Sequence, residues 1–231
     1  MTKLAIVVLA YNNWSYTKQC LSDLLQLPED HSIILVDNAS SDETKNVSKI
    51  FNDKKLDVIV NEDNYGFAKG CNIGFKKAQE KRSENVMFLN NDIRVRSEHK
   101  NWTDRVLSQL SSKTLLGPTV GILDGDLRFV CEAGKIPEKY TNTYMSGWCV
   151  TATMETWNEL VLPGYEGPFS EEFGKAFFED SDLGFRARNQ NIKFNIVDIP
   201  VHHFGHKTTD KLNTNELYKN AREIFVRKWK K

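Results

Sequence analysis

Three acids fall within four residues in this chain, Glu179, Asp180 and Asp182, between the aromatic pair Phe177-Phe178 and a run holding Arg186 and Arg188. The apolar Phe178, Leu183 and Phe185 read as core anchors on either side of a helix start. Ser181 or Asp180 can cap that helix, which sets the acids at its positive end. A carboxylate held there by core neighbours suits the work of a general base. Mutual repulsion raises at least one pKa of the three, while the helix terminus lowers it. Taken alone, the run reads as an acidic cap followed by a solvated face.

Other polar clusters are spaced along the chain. Asn90-Asn91-Asp92 follows the apolar run Val86–Leu89 and offers the oxygen donors that Mg²⁺ or Mn²⁺ takes. One or two carboxylates with diphosphate oxygens satisfy such an ion; a plain polar turn has the same composition. Asp37 ends another apolar run and precedes Asn38-Ala39-Ser40-Ser41-Asp42, a pattern that can accept hydrogen bonds from a base or ribose beside helix-start amides, or simply form a turn and cap. In Asn64-Tyr65-Gly66-Phe67-Ala68-Lys69-Gly70-Cys71-Asn72-Ile73-Gly74, small residues let backbone approach a ligand, and Lys69 can meet a phosphate. This is neither a Walker loop nor GxGxxG. Three of the five histidines, His202, His203 and His206, crowd together, open to metal, phosphate or core roles, and not on an HExxH helix.

These groups need elements to hold them. Leu4–Leu9 is a continuous apolar run, as a doubly covered parallel strand requires. A helix through Leu25, strands at 32–37 and 56–60, a loop running into a helix over 66–78 and a strand at 86–89 follow in alternation. That order predicts βαβ units and a mainly parallel sheet. Right-handed crossovers then bring Tyr11, Asp37, Asn38, Asn90 and Asp92 to one sheet edge, where ligands bind in open α/β folds. Beyond residue 98 the spacing predicts a helix over 101–110, glycine-punctuated short strands over 115–130 with a turn at Asp124-Gly125, a strand over 194–201 and a C-terminal helix over 215–231. One domain with two unequal halves, 1–98 and 99–231, is the economical division.

With 231 residues, 40% hydrophobic, the chain is long enough to bury a proper core. Thirty-one basic residues balance thirty-one acidic ones, so no global field draws it toward nucleic acid or a membrane. Cys20, Cys71, Cys131 and Cys149 form no CxxC pair, which argues for buried free thiols rather than a zinc knuckle or disulfide framework. No apolar run is long enough to span a bilayer. A soluble, cytoplasmic protein is the expectation.

Taken in order, these blocks resemble the family 2 glycosyltransferases of GT-A fold, in the manner of the rhamnosyltransferase-like members. The carriers are Ile6–Asn12, including Ala10, Tyr11 and Asn12; Val36–Asp42; the Asn64–Gly74 block; Phe88–Asp92; the Glu179-Asp180-x-Asp182 segment with Arg186; and His203–Thr208, with a tail helix over 218–229. The resemblance implies a Rossmann-like, mainly parallel sheet flanked by helices, a nucleotide-sugar-binding half over 1–98 and a smaller acceptor-binding and catalytic half over 99–231. It implies an inverting enzyme that moves a sugar from a UDP- or dTDP-sugar to an acceptor hydroxyl with Mn²⁺ or Mg²⁺. Asp180, with Glu179 beside it, would be the base, and Asp37 would hold the uracil or thymine edge. Asp92 would bind the metal, and His203 would sit near the metal or diphosphate. Ala10, Tyr11, Asn12, Asn38, Asn64, Gly66, Phe67, Lys69, Gly70, Asn72, Asn90 and Asn91 would complete the donor site. Gly147, Trp148, Asp182 and Arg186 would bind the acceptor, Trp148 by stacking on a ring unless it is an ordinary core tryptophan.

Two departures bear on this. The first acid of a DxD motif is Asn90, and His202, His203 and His206 compete for one matching position, which His203 fits best because Gly205 and Thr208 follow it. A nucleotide-sugar-binding protein without turnover and a nucleotidyltransferase are the alternatives; the latter usually carries a glycine-rich basic loop, which Tyr11-Asn12-Asn13-Trp14 is not. The acceptor is open between a glycan, a lipid-linked sugar reached through the basic aromatic tail at a membrane surface, and a modified DNA base facing Lys76, Lys77, Lys81, Arg82, Arg94 and Arg96.

Overall fold

A computed structural model describes residues 2–96, 101–138, 142–205 and 214–230. Its frame is a seven-stranded sheet. Four parallel strands form its first part: β1 (Leu4–Ala10), β2 (His31–Asp37), β3 (Leu56–Val60) and β4 (Asn85–Asn90). The crossovers are α1 (Trp14–Leu24), a 3-10 turn at Glu43–Asn46 running into α2 (Val47–Ile50), and α3 (Gly66–Glu80). Asp42 caps the 3-10 turn by accepting from the Thr44 amide at 3.0 Å.

The second half of the chain completes the same sheet. In order come β5 (Ile93–Val95), α4 (Trp102–Leu107), β6 (Thr114–Gly117), β7 (Val120–Leu123), β8 (Phe129–Ala133), β9 (Thr143–Met145) and β10 (Cys149–Thr153). They are followed by α5 (Met154–Leu160), α6 (Glu179–Asn189), β11 (Lys193–Ile196), β12 (Val201–His203) and α7 (Thr214–Trp229). Across the sheet the order is β11-β6-β10-β4-β1-β2-β3, with β10 antiparallel to both neighbours. A small β8-β7-β9 sheet and a β12-β5 ribbon flank the C-terminal edge of the large one.

β1 is uninterrupted in its apolar character because both its faces are covered. Leu4, Ile6 and Val8 enter the core under α1, while Ala5 and Val7 enter the core under α3 and α5. On the second side Phe88 meets Trp157 and Phe169 edge-to-face at 5.0 and 4.9 Å, and the Trp157 indole donates to the Val86 carbonyl at 2.9 Å. Gly70 and Gly74 let α3 lie against β1, since an added Cβ would stand 2.3 Å from Leu9 Cδ1 and from Val7 Cγ1 respectively. These two glycines therefore serve helix–sheet packing.

Several local expectations are corrected. α6 begins at Glu179, and neither Ser181 nor Asp180 caps it; Phe177 and Phe178 enter it with φ of 80° and 68°. The strand foreseen over 194–201 breaks into β11 and β12, and α5 was not foreseen, although Thr153 caps it by accepting from the Thr156 amide at 3.2 Å. Cys20, Cys71 and Cys149 are buried free thiols, but Cys131 is exposed on β8. The tail helix turns its apolar stripe inward: Tyr218, Ala221, Phe225 and Trp229 pack on Phe173, Phe177, Phe178 and Phe185. Lys228 and Lys230 pair with Asp182 and Asp126. No helix of the described residues is long and apolar enough to cross a membrane.

Candidate active site

Strand register gathers the polar groups. Ala10 lies beside Asp37 and Leu9 beside Asn90, so three strand ends meet at one edge. β10 enters antiparallel with Cys149 beside Leu89, and the Asn90 amide donates to the Trp148 carbonyl at 2.8 Å, which brings Gly147 and Trp148 to that edge too. In the β12-β5 ribbon His203 pairs with Ile93, next to Asp92, while His202 pairs with Arg94 and is exposed. Alternation along the strand thus selects His203; His206 and the rest of the stretch through Thr208 lie outside the described residues.

These ends open into a cavity of about 710 Å³. One wall is polar, with Tyr11, Asn38, Asn64, Asn90, Asn91 and Asp92. His203 Nε2 stands 3.1 Å from the buried Asp92 Oδ1 and 3.3 Å from Asn90 Nδ2, and its ring stacks on Trp148 at 4.6 Å. The Trp148 indole donates to Thr119 Oγ1 at 2.9 Å. One face of Trp148 is thus occupied by imidazole, and its side chain is fixed as a wall. Asn91 is held by donation to Thr17 Oγ1 at 2.8 Å.

Asp37 is fully buried at the end of β2, one residue before the cavity-lining Asn38. Its Oδ1 accepts from the Ser40 amide at 3.0 Å, whereas its Oδ2 has no hydrogen-bond partner among the described residues. A buried carboxylate oxygen left so is costly unless a ligand donates to it. The surrounding loops are held in the left-handed region at Asn12, Asn13 and Ala39, a conformation that non-glycine residues adopt only when neighbours enforce it. Asn12 enforces it by accepting from the amides of Ser41 and Asp42 at 2.8 and 3.3 Å.

The acidic pair closes the cavity from the other side. Asp180 Oδ2 accepts from the Gly147 amide at 3.0 Å and Oδ1 from the Ser181 amide at 2.7 Å. Burial nevertheless pushes its carboxyl up to about 6, against the pull of those amides. Glu179 is buried, its Oε1 has no partner among the described residues, and burial with the neighbouring Asp180 charge pushes it up to about 8. At neutral pH the two adjacent carboxyls therefore differ: Asp180 is ionised and can take a proton, while Glu179 holds one.

Not every foreseen site residue reaches the cavity. Lys69 is exposed, with its ammonium 4.1 Å from the Tyr65 ring centroid. Asn72 is buried and clips the 167–171 loop, donating to the Phe169 carbonyl at 2.9 Å and accepting from the Phe169 amide at 3.0 Å. Asp182 and Arg186 form a buried ion pair at 2.8 Å, and Arg186 also donates to the carbonyls of Leu160 and Pro168. Gly66 and Phe67 do line the cavity, the Phe67 amide donating to the Lys175 carbonyl at 3.0 Å. Conversely, Phe129, Cys131, Glu132, Tyr144, Phe177 and Tyr218 line it without having been foreseen. A short exposed hairpin and a left-handed aromatic pair carry no local sequence mark.

Residues 5–100 match glycosyl transferase family 2. The match runs from β1 through β5 and covers less than half of the chain. Among solved structures the chain is similar to TarS 1-349 of S. aureus, known in complex with UDP, at 20% identity and a TM-score of 0.58, over 86% of this chain and 59% of that one. It is also similar to the mannosyltransferase PcManGT of Pyrobaculum calidifontis, solved with GDP-Man and Mn²⁺, at 14% identity and 0.56, over 85% and 55%. A putative glucose-1-phosphate thymidylyltransferase of Bacillus anthracis is similar at 9% identity and 0.52, over 95% and 96%. The chain thus spans about 60% of TarS 1-349, and these likenesses establish the GT-A fold. No curated protein sequence matches the chain.

Proposed function

We propose that the protein is an inverting glycosyltransferase that moves a sugar from a nucleoside diphosphate donor to an acceptor hydroxyl. One observation carries the reading: Asp180, ionised at neutral pH yet raised to about 6, faces the same cavity as Asn90, Asn91, Asp92 and His203. The unpartnered Asp37 Oδ2 supports recognition of a base that presents a ring N–H, as uracil and thymine do. The family match and the nucleotide complexes of TarS and PcManGT point the same way.

Asp92 and His203, backed by Asn90, suit a divalent cation. Among the described residues no group of three or more His, Cys, Asp or Glu converges, so diphosphate oxygens would complete the shell. Bound there, Mg²⁺ or Mn²⁺ would offset the charge of the departing diphosphate. Asp180 removes the proton of the acceptor hydroxyl as its oxygen attacks the anomeric carbon, and the diphosphate leaves from the opposite face, inverting the configuration. Gly147 and Ser181 orient the Asp180 carboxylate through their amides.

The test is Asp180→Asn. The substitution keeps the shape and removes the base, so transfer falls by about 10²–10⁴-fold while nucleotide binding persists. Undiminished transfer in the variant would overturn the assignment. A nucleotidyltransferase is disfavoured because the loop after β1 has no glycine or cation and its Asn12 side chain is engaged with Ser41 and Asp42.

A further inference from the structure

The cavity has two chemically different ends. The donor wall described above is built of asparagines, one carboxylate and one imidazole. The opposite wall is formed by Leu123 on β7, Phe129 on β8, Tyr144 on β9, Phe177 before α6 and Tyr218 on α7. The Phe177 and Tyr218 rings meet edge-to-face at 5.6 Å, and Tyr218 also contacts Phe178 at 5.3 Å, which fixes the aromatic surface. Phe129 is 48% exposed and presents apolar surface at this end of the cavity. Asp180 lies at the junction of the two ends.

Charge at this end has one dominant sign. Glu132 and Asp180 line the cavity here as carboxylates, with the protonated Glu179 beside them, and Glu132 is close enough to raise Asp180. Among the described residues that line this end, Lys175 is the basic one. A polyanionic acceptor would bring its phosphates against carboxylates with one cation to receive them, and like charges at short range in a partly dry cleft are unfavourable. Four of the six cations of the basic face that a DNA acceptor would need are paired: Lys76, Lys77, Lys81 and Arg94 lie against Glu166, Glu80, Asp57 and Asp23.

We infer that the acceptor is an uncharged, hydroxyl-bearing ring with an apolar face, seated between Phe129, Phe177 and Tyr218, rather than a phosphate-bearing polymer, nucleic acid or lipid diphosphate. The inference rests on the glycosyltransferase reading and names its acceptor class. A terminal sugar and an aromatic alcohol share this chemistry, since a pyranose presents C–H groups to an aromatic face much as an aryl ring does.

Cys131 supplies the readout. It lines this end of the cavity and is the exposed cysteine, the other three being buried. Its alkylation rate by a maleimide is measured on the full chain with methyl glycosides, aryl glycosides and simple phenols as neutral probes, and with glycerol phosphate oligomers and short oligothymidylate as anionic ones. UDP and dTDP binding is measured in parallel by calorimetry. The expected result is that at least one neutral ring more than halves the alkylation rate, that anionic probes leave it unchanged, and that Phe129→Ala abolishes protection while nucleotide binding is retained. Methyl glycoside protection identifies a sugar acceptor; protection by phenols alone identifies an aromatic alcohol. Stronger protection by an anionic probe, or none by any neutral ring, overturns the inference while nucleotide binding leaves the donor site standing. Loss of all nucleotide binding overturns the glycosyltransferase reading, and this inference with it.

Discussion

Glu179 and Asp180 are neighbours in sequence with opposite assignments, and burial divides them. Asp180 keeps two amide donors and remains ionised at neutral pH; Glu179 has an unpartnered oxygen and stays protonated. The rate should therefore fall about tenfold per pH unit below about 6, where Asp180 becomes protonated. A pH profile of kcat/KM checks this. Glu179 makes a prediction about stability instead. Its folded pKa of about 8 lies above the ordinary 4.5, so the folded state retains a proton that the unfolded state releases. Stability contributed by the neutral form is complete below 4.5 and is lost as pH rises to about 8. Between pH 7 and 8, above most of the range where Asp180 titrates, Tm of the wild type should fall and that of Glu179→Gln should fall less. Equal slopes would contradict the burial argument. Gly147→Ala is a third probe, since its Cβ would stand 3.0 Å from Asp180 Cβ and displace the carboxylate. It should lower kcat more than nucleotide affinity.

At the scale of elements, the sheet edge does the assembly and the two cores hold it. Phe88 on β4 packs among Phe75, Trp157 and Phe169, two residues before the polar Asn90. Phe88→Ala should cost about 3–5 kcal/mol in urea unfolding, as large-to-small changes in a packed core do. This first part of the fold was legible because its signals are local. Apolar runs end in acids and asparagines, and parallel crossovers put those ends together. Asn90, Asp92 and His203 could be read as neighbours only through the family resemblance, since the register of β5 against β12 joins residues far apart in sequence. The acceptor end was not legible. Phe177 and Phe178 look like core in sequence, and nothing local signals their left-handed turn, which contacts with Tyr218 and Phe225 accompany. Lys69 and Gly70 are not among the cavity-lining residues, and a small-residue pattern with one lysine serves packing as readily as ligand approach.

Across the whole molecule, the C-terminal helix and the acidic segment form one unit. Asp182 accepts from Arg186 at 2.8 Å and from the Trp229 indole at 2.9 Å, with Lys228 also at 2.9 Å. Arg186 in turn holds the carbonyls of Leu160 and Pro168. The network ties α5, the loop before α6, α6 and α7 together behind the proposed base. Arg186→Met leaves the buried Asp182 without its closest partner and should cost about 3–5 kcal/mol in denaturant unfolding. In the proposed reading, the polar end of the cavity binds a nucleoside diphosphate through Asp92 and a divalent cation. Calorimetric titration of UDP and dTDP, with and without Mn²⁺, on the wild type and on Asp92→Ala tests it most directly. Mn²⁺ should strengthen binding in the wild type, and Asp92→Ala should weaken it. No binding of either nucleotide under any of these conditions would contradict this reading.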